Sequence, residues 1–328
     1  MKACVFGAAL CGVVTVAGAA QVEDFPSRPI TLVVSFAPGG LTDIPARMLA
    51  PDLQQRLGQP VIVENKPGAS GVIGGQYVVR AQPDGYTMLV AGISEVQNLF
   101  YIHVPYSVPT DLAAVGAIAD GPPLVLAVPA SSPFKSFADL MAYAKQNPGK
   151  LNLATTGPAT SPAVAVTQLN ALGGIDTVSV PYQGSGPAAA AVAGGQVQGG
   201  FVWLPSVAGM VSGGQVRLLA IATAKRLATL PDLPTFAELG FKNFEHSAFV
   251  GLLAPKDTPK AVIATLNKGL NEALSGSATL AKKLEPFGMT LPAQPNTPEA
   301  FRDYIVKQTA YQGELAKMAG GTNQNTAR

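Results

Sequence analysis

Two glycine-rich loops contain the residues best suited to bind a ligand. They are residues 36–43, FAPGGLTD, and residues 65–72, NKPGASGV, and each lies between an apolar run and a helical pattern. A strand–turn–helix junction of this kind presents free backbone N–H groups and the positive end of a helix dipole. Neither loop contains the GxGxxG or Walker pattern of a nucleotide site. We therefore expect a small carboxylate as the ligand.

The side chains of these loops support the same expectation. They include one base, Lys66, among Gly, Ser, Thr and Pro, so a carboxylate would be held by N–H dipoles and hydroxyls instead of an arginine. One helix terminus contributes about 0.3–1 kcal/mol, whereas micromolar binding needs about −8 kcal/mol. Several such groups must converge, and closure of two domains around the ligand would bring them together.

Cysteine and histidine are too few for a metal centre or a histidine-based catalytic triad. The chain contains Cys4, Cys11, His103 and His246. Both cysteines lie in an N-terminal segment that we expect to be removed, and the histidines are interpreted as ordinary surface or hydrogen-bonded residues. Ser161 and Ser185 do not lie in a Gly-x-Ser-x-Gly motif. The sequence thus predicts no catalytic residues, no metal site and no cofactor.

The first 20 residues have the pattern of a secretory signal peptide. A basic start at Lys2 precedes an uncharged apolar run, and the small residues at 17–20 predict cleavage near Ala20. The alternative is an N-terminal strand or core helix. At the other end, the polar residues 321–328 are expected to form a flexible tail.

Charge and hydropathy argue against two further classes of protein. The formal net charge is +2 and no basic patch is present, so nucleic-acid binding is not expected. After the N-terminal segment, no stretch reaches the roughly 18 apolar residues that span a bilayer. The mature chain is therefore expected to be soluble.

Short β-branched runs alternate with helical patterns along the rest of the chain. Strands are predicted near residues 30–36, 61–64, 87–91, 124–128, 151–155, 177–180, 197–202, 218–223 and 249–254. Among the helix ends, Ser136 is predicted as an N-cap and Gly58 as the residue after a helix. The alternation predicts mostly parallel sheets flanked by helices, which is an α/β fold.

A series of sequence blocks resembles one known family. The blocks are PSRPI at 26–30, FAPGGLTD at 36–43, VENKPG at 63–68, QPDGYT at 82–87, VPYQG at 180–184, GGQV at 194–197, LPDLPT at 230–235 and GLLAP at 251–255. In this order, over about residues 25–320, they resemble the periplasmic solute-binding proteins of tripartite tricarboxylate transporters, the TctC or Bug family. Each block is a weak signal, and their conjunction is specific.

The resemblance implies a periplasmic protein that binds its ligand without catalysis. The implied fold is a two-lobed, type II-like periplasmic binding protein with the ligand cleft between the lobes. Residues 25–123 and 249–320 would form the first lobe, and residues 124–248 the second. A monomer would capture a small organic acid and deliver it to the integral membrane subunits of a transporter.

The binding loops of the family correspond to defined positions of this chain. First-lobe loops would hold a carboxylate through backbone amides, hydroxyls and ordered waters, at Phe36, Gly39, Gly40, Thr42, Asp43, Gly68, Ala69 and Ser70. Second-lobe loops would hold the other end of the ligand, at Gly157, Thr160, Ser161, Tyr182 and Gly184, with Val202 and Trp203 beside them. Further candidates are Ser94 and Asn98, in a segment shorter than is usual in the family.

Several interpretations stay open at this point. Val202 stands where family members often carry an Asp, which argues against an amino-acid ligand. Residues 38–40 could form only a tight turn, and Asp43 could serve a helix N-terminus instead of a ligand. Tyr182 and Trp203 could be core aromatics.

Three classes of function remain. The first is the transport receptor described above, the second is a ligand-sensing partner of a membrane receptor on the same fold, and the third is a secreted enzyme. No acid, base and nucleophile converge in the sequence, which disfavours the third. Whether the ligand is an aliphatic or an aromatic acid is left open.

Overall fold

The structure is a computed structural model, and it describes residues 25–275 and 278–318. The predicted signal peptide, residues 1–20, and the predicted tail, residues 321–328, lie outside the described residues, as do both cysteines.

Within the described residues, strands and helices alternate as the sequence predicts. The strands are β1 (Ile30–Val34), β2 (Val61–Asn65), β3 (Thr87–Gly92), β4 (Leu112–Pro129), β5 (Leu151–Thr155), β6 (Thr177–Pro181), β7 (Gly199–Trp203), β8 (Val216–Ile221) and β9 (Ser247–Pro255). The helices are α1 (Asp43–Leu57), α2 (Val72–Val79), α3 (Ile93–Tyr101), α4 (Val108–Asp111), α5 (Phe137–Gln146), α6 (Ser161–Gly173), α7 (Ser185–Ala193), α8 (Leu204–Ser212), α9 (Lys260–Ser275), α10 (Ala278–Leu284) and α11 (Pro298–Met318). Two short 3-10 turns are Ala69–Gly71 and Glu285–Phe287.

The strands form one sheet whose two halves share β4. The order is β2-β1-β3-β9-β4-β7-β5-β6, and β8 also pairs with β4. The half with β1, β2, β3 and β9, together with its helices, is called the first lobe here, and the half with β5 to β8 the second lobe. β4 is long enough to pair with β9 in one lobe and with β7 and β8 in the other.

The sheet is mixed, whereas the sequence predicted mostly parallel strands. β1 pairs in parallel with β2 and β3, and β5 pairs in parallel with β6 and β7. All pairings of β4, and the pairing of β9 with β3, are antiparallel. The difference arises because β4 and β9 carry the chain between the lobes in opposite directions. The first part of β4, residues 112–123, was missed because it is rich in Ala and Gly and contains two prolines.

Helix ends follow the local sequence. The Ser136 side chain accepts from the Asp139 N–H at 3.2 Å, and the Asp139 carboxylate accepts from the Ser136 N–H at 2.8 Å, so this pair forms a capping box before α5. Gly58 ends α1 with a left-handed φ of 70°. Both predicted ends are confirmed.

The parallel pairs set the position of the candidate loops. Loops that follow parallel strands emerge at the same edge of a sheet, where α/β proteins bind ligands. The loops after β1 and β2 therefore meet in the first lobe, and those after β5 and β6 meet in the second. β1 and β5 beneath them are largely buried on both sides, with Leu32, Val33 and Leu153 each 0% exposed, whereas β2 and β6 are edge strands with exposed positions.

Candidate functional site

The side chain of Asp43 links the two first-lobe loops through hydrogen bonds. Its carboxylate accepts from the Gly39 N–H at 2.9 Å, from Asn65 Nδ2 at 2.8 Å and from Arg47 Nε at 3.0 Å. Asn65 Nδ2 also donates to the Phe36 carbonyl at 2.9 Å. Because these groups occupy its oxygens, the geometry supports the helix-end role of Asp43 that the sequence left open.

The loop after β2 is held in an unusual backbone conformation. Four consecutive residues have positive φ: Gly68 (138°), Ala69 (47°), Ser70 (56°) and Gly71 (97°). For Ala and Ser this region costs of order 1–3 kcal/mol, and such strain clusters at ligand-binding positions. A residue of α3 stabilises this strained backbone conformation, because Asn98 Nδ2 donates to the Ser70 carbonyl at 2.6 Å.

Two buried polar atoms of this loop region have no hydrogen-bond partner among the described residues. They are Ser70 Oγ and Asn98 Oδ1, and Asn98 is 1% exposed. Leaving such a group unpaired costs about 1–3 kcal/mol. A ligand or an ordered water placed against Ser70 would remove that cost.

In the second lobe, the turn after β5 is closed by its own hydroxyls. Thr160 Oγ1 donates to the Gly157 carbonyl at 2.8 Å and accepts from Thr156 Oγ1 at 2.8 Å. The next residue, Ser161, begins α6 and donates from Oγ to Gln97 Oε1 of the first lobe at 2.7 Å. Thr160 thus shapes the turn, while Ser161 joins the lobes.

The loops of the two lobes are in contact. The Ala37 N–H donates to the Gln183 carbonyl at 2.9 Å. A Cβ added to Gly186 would overlap the Pro38 carbonyl oxygen, and a Cβ added to Gly157 would lie 2.5 Å from Ser70 Oγ. The structure is therefore a closed arrangement, in which glycines of the second lobe admit the backbone of the first.

Comparison with known proteins identifies the family. The model described as tripartite tricarboxylate transporter family receptor, TctC, matches residues 45–320. The chain belongs to this family.

Solved structures agree with that assignment over nearly the whole chain. The periplasmic binding protein BugD has a TM-score of 0.86 at 34% identity, covering 91% of this chain and 99% of that one. MatC from Rhodopseudomonas palustris with bound malate has a TM-score of 0.83 at 29% identity, covering 89% and 99%. Rpa4515 from R. palustris with adipate has a TM-score of 0.84 at 32% identity, covering 91% and 99%.

These likenesses confirm two predictions. The family is the predicted one, and the fold is the predicted α/β, two-lobed, type II-like architecture. The chain is a solute-binding protein of a family of periplasmic receptors, and the family is one of substrate-binding receptors and not of enzymes.

The structure brings most of the predicted site residues to the lobe junction. The loops there contain Phe36, Gly39, Gly40, Thr42, Asp43, Gly68, Ala69 and Ser70 in the first lobe, and Gly157, Thr160, Ser161, Tyr182 and Gly184 in the second. Ser94 is buried in α3, and no contact that the structure describes places it between the lobes. The left-handed φ of the first loop falls at Gly39 (79°), and Gly40 has no positive φ. Contact of any of these residues with a ligand stays a prediction.

Val202 and Trp203 lie in packed surroundings. Val202 is 0% exposed and belongs to the second-lobe hydrophobic cluster. Trp203 is 2% exposed and packs in the main hydrophobic cluster, while its backbone N–H donates to Ser185 Oγ at 3.3 Å. This packing favours the core interpretation of Trp203.

Charged side chains around the loops are largely occupied. Lys66, the one base of the two first-lobe loops, pairs with Glu64 at 2.6 Å and lies 4.1 Å from the Tyr77 ring centroid. Glu95 is 1% exposed. Burial raises the pKa of Glu95 to about 7, and the Gly92 N–H that donates to its carboxylate at 2.9 Å opposes that shift. The loops therefore offer a ligand mainly hydroxyls and backbone dipoles.

Sequence reasoning missed Gln97 and Gly186. The available signal for Gln97 is the polar stretch SEVQN at residues 94–98, between apolar runs. Its polar members are all buried, at 1–3% exposure, and buried polar side chains require partners. For Gly186, the signal is a second glycine two residues after Gly184, at the start of a helix.

Other possible sites lie apart from these loops or are not found. Two surface depressions, of about 580 and 770 Å³, are lined by none of the predicted site residues. In the described part of the chain, no group of three or more His, Cys, Asp or Glu could hold a metal ion. No helix there is long and apolar enough to cross a membrane.

Proposed function

We propose that this protein captures a small organic acid between its two lobes and delivers it to the membrane subunits of a tripartite tricarboxylate-type transporter. The observation that carries the proposal is the contact between the loops of the two lobes, where Ala37 N–H donates to Gln183 at 2.9 Å. A receptor that closes in this way shields its ligand from water and presents a different surface when loaded.

The proposed lobe boundaries lie within the two connecting strands. Residues 25–123 and 249–320 would move as one lobe and residues 124–248 as the other. The pairing of Pro123 with Ser247 supports this division, because it lies where β4 leaves β9 to pair with β7 and β8. A hinge there would let both strands bend together.

The proposed ligand contacts come from the four loops. The backbone at residues 68–70 and the Ser70 hydroxyl would bind a carboxylate, and Gly157 and Tyr182 would border the ligand from the second lobe. Asp43 and Thr160 would act indirectly, since their hydrogen bonds shape the loops. No arginine is required, because ligand oxygens would meet N–H dipoles inside a closed site.

We further propose that the chain is exported as a monomer after cleavage near Ala20. The apolar N-terminal segment supports export, and the periplasmic location of the family agrees with it. The intact mass of the secreted protein tests this directly. Retention of residues 1–20 in the periplasmic protein would contradict it.

The ligand proposal is tested by denaturing the purified protein and identifying the released small molecules by mass spectrometry. We expect an organic acid in near-stoichiometric amount, and calorimetric titration of that acid into the stripped protein should give saturable binding. Deletion of the gene should abolish uptake of the same acid by the native host. If no carboxylate is released and none binds, the proposed function is wrong.

A further inference from the structure

Two oxygens at the lobe junction lack hydrogen-bond partners among the described residues. They are Asn98 Oδ1 and Ser70 Oγ. Asn98 is 1% exposed, and buried polar atoms are nearly always hydrogen-bonded. The Asn98 side chain contacts the backbone carbonyl of Ser70, so the two unpaired oxygens belong to neighbouring residues, and a partner from outside the chain could bind to both.

The orientation of the Asn98 amide is fixed by its neighbour. One branch of the amide lies 2.6 Å from the Ser70 carbonyl oxygen. A carbonyl oxygen can only accept, so this branch must be the Nδ2 donor. The other branch, Oδ1, is therefore an acceptor, and its missing partner is a donor.

A carboxylate alone cannot supply that donor. Ionised carboxylate oxygens only accept, so they can bind the Ser70 hydroxyl but leave Asn98 Oδ1 unpaired. A hydroxyl group beside the carboxylate would donate to Oδ1.

An ammonium group would also donate, but a buried cation needs an anionic partner. The Asp43 carboxylate is already bound by Arg47 and Asn65. One oxygen of Glu95 accepts from the Gly92 N–H at 2.9 Å, and the other, Oε1, has no hydrogen-bond partner among the described residues. Because burial raises the pKa of this carboxyl, its environment favours the neutral, protonated form over an anion that would pair with an ammonium group. The surroundings therefore favour a neutral donor.

Ser70 faces the opposite lobe, and Asn98 lies on a helix that contacts that lobe through a neighbouring residue. Gln97, next to Asn98 on α3, accepts from Ser161 of the second lobe at 2.7 Å. Ser70 lies against Gly157, where an added Cβ would be 2.5 Å from Ser70 Oγ. A ligand enclosed by the two lobes at Ser70 would also lie next to the Asn98 amide, which is 2.6 Å from the Ser70 carbonyl oxygen.

We propose that Asn98 and Ser70 select organic acids that carry a hydroxyl group close to a carboxylate. Asn98 is the specificity-determining residue, because its Oδ1 can be satisfied only by a donor. Ser70 binds the neighbouring carboxylate or hydroxyl oxygen. This inference rests on the proposed function and narrows its ligand class.

The test uses calorimetric titration of the full mature protein with matched acids that differ only by a hydroxyl. The pairs are malate and succinate, citrate and tricarballylate, lactate and propionate, and mandelate and phenylacetate, with aspartate as the amino analogue of malate. For at least one pair, the hydroxy acid should bind about tenfold tighter or more, since its absence leaves a buried acceptor unpaired. Aspartate should bind more weakly than malate.

Two variants connect that preference to the residues. Asn98→Leu, which is close in volume, should bring the affinity ratio of the matched pair near one. Ser70→Ala, which keeps the backbone, should weaken both acids and serves as the second variant if Asn98→Leu does not fold. Ser212→Ala, at an exposed position at the end of α8, is the matched control and should leave both affinities unchanged.

Several results would overturn the inference. Equal affinities for every matched pair would mean that a water, not the ligand, satisfies Asn98. An unchanged affinity ratio in Asn98→Leu, or unchanged affinities in Ser70→Ala, would place the selection elsewhere. Binding only of acids without a hydroxyl, or tighter binding of aspartate than malate, would overturn the inference while leaving the proposed function intact. Binding of no carboxylate at all would overturn both.

Discussion

Ser161 of the second lobe donates a 2.7 Å hydrogen bond to Gln97 of the first lobe, and this bond belongs to a buried chain. Gln97 Nε2 in turn donates to Gln312 Oε1 on α11 at 3.0 Å. The three residues are 1%, 3% and 7% exposed, in the order Ser161, Gln97 and Gln312. Opening the lobes would separate Ser161 from Gln97. These linked hydrogen bonds therefore stabilise the closed arrangement of the lobes.

The first prediction concerns this interlobe bond. Gln97→Ala should weaken ligand binding about tenfold, because closure would then bury Ser161 Oγ without its acceptor. Ser161→Ala should have a similar effect. The double variant should bind about as well as either single variant if Ser161 acts through Gln97.

Calorimetric titration of the two single variants and the double variant tests this cycle. Additive losses would show that Ser161 contacts the ligand directly, as the family resemblance implied. Thr265→Ala, on the solvent side of α9, provides a control in which a surface hydroxyl is removed and affinity should not change.

The second prediction concerns Gly186, which has no positive φ and lies in the first turn of α7. An Ala here favours the helix by up to about 1 kcal/mol, yet its Cβ would overlap the Pro38 carbonyl oxygen of the other lobe. Gly186→Ala should therefore keep or raise the free energy of unfolding of the ligand-free protein while lowering ligand affinity at least tenfold.

Gly209→Ala is the matched control for that variant. Gly209 is exposed in α8, and an added Cβ there meets nothing within 4 Å. Urea unfolding and ligand titration of the two variants should give similar stability gains but different affinities. Full affinity in Gly186→Ala would contradict the closed contact as the binding state.

The sequence was informative where local rules decide the structure. The capping box at Ser136 and the glycine end of α1 at Gly58 follow from nearest neighbours in the chain, and both are confirmed. The family blocks likewise located the loops after β1, β2 and β6. These loops are defined by short segments whose glycines and prolines are visible in the sequence.

Contacts between the two lobes could not be predicted from the sequence by these local rules. Gln97 and Ser161 are 64 residues apart, and Gln97 and Gln312 are 215 apart. No periodic pattern pairs such positions. The antiparallel β4 and β9 were misjudged for a related reason, since strand direction in a sheet depends on where the chain crosses between lobes and not on side-chain alternation.

The third prediction concerns Trp203, the single tryptophan of the chain. It is 2% exposed in the main hydrophobic cluster, so Trp203→Phe should lower stability through lost packing but leave ligand affinity within about threefold. Urea unfolding and ligand titration measure the two effects separately. If the variant loses much more than threefold in ligand affinity while it remains folded, Trp203 contacts the ligand.

The last prediction concerns Glu95 and the pH dependence of stability. Burial raises the pKa of Glu95 from 4.5 in the unfolded chain to about 7 in the folded protein. The folded state therefore retains a proton that the unfolded state releases. Its contribution to stability is fully present below pH 4.5 and is lost as pH rises to about 7, with a total change of about 3 kcal/mol.

Glu95→Gln removes this titration while keeping an oxygen that can accept from the Gly92 N–H. Urea unfolding at several pH values should show that wild type loses free energy of unfolding, relative to the variant, between pH 4.5 and 7 and not above. His246 titrates oppositely, because burial lowers its pKa to about 4 and stability from this group is lost as pH falls below 6.5. Since His246 is present in both proteins, its effect cancels in the difference. If the difference in free energy of unfolding between wild type and Glu95→Gln does not vary with pH, Glu95 has an ordinary pKa in the folded protein.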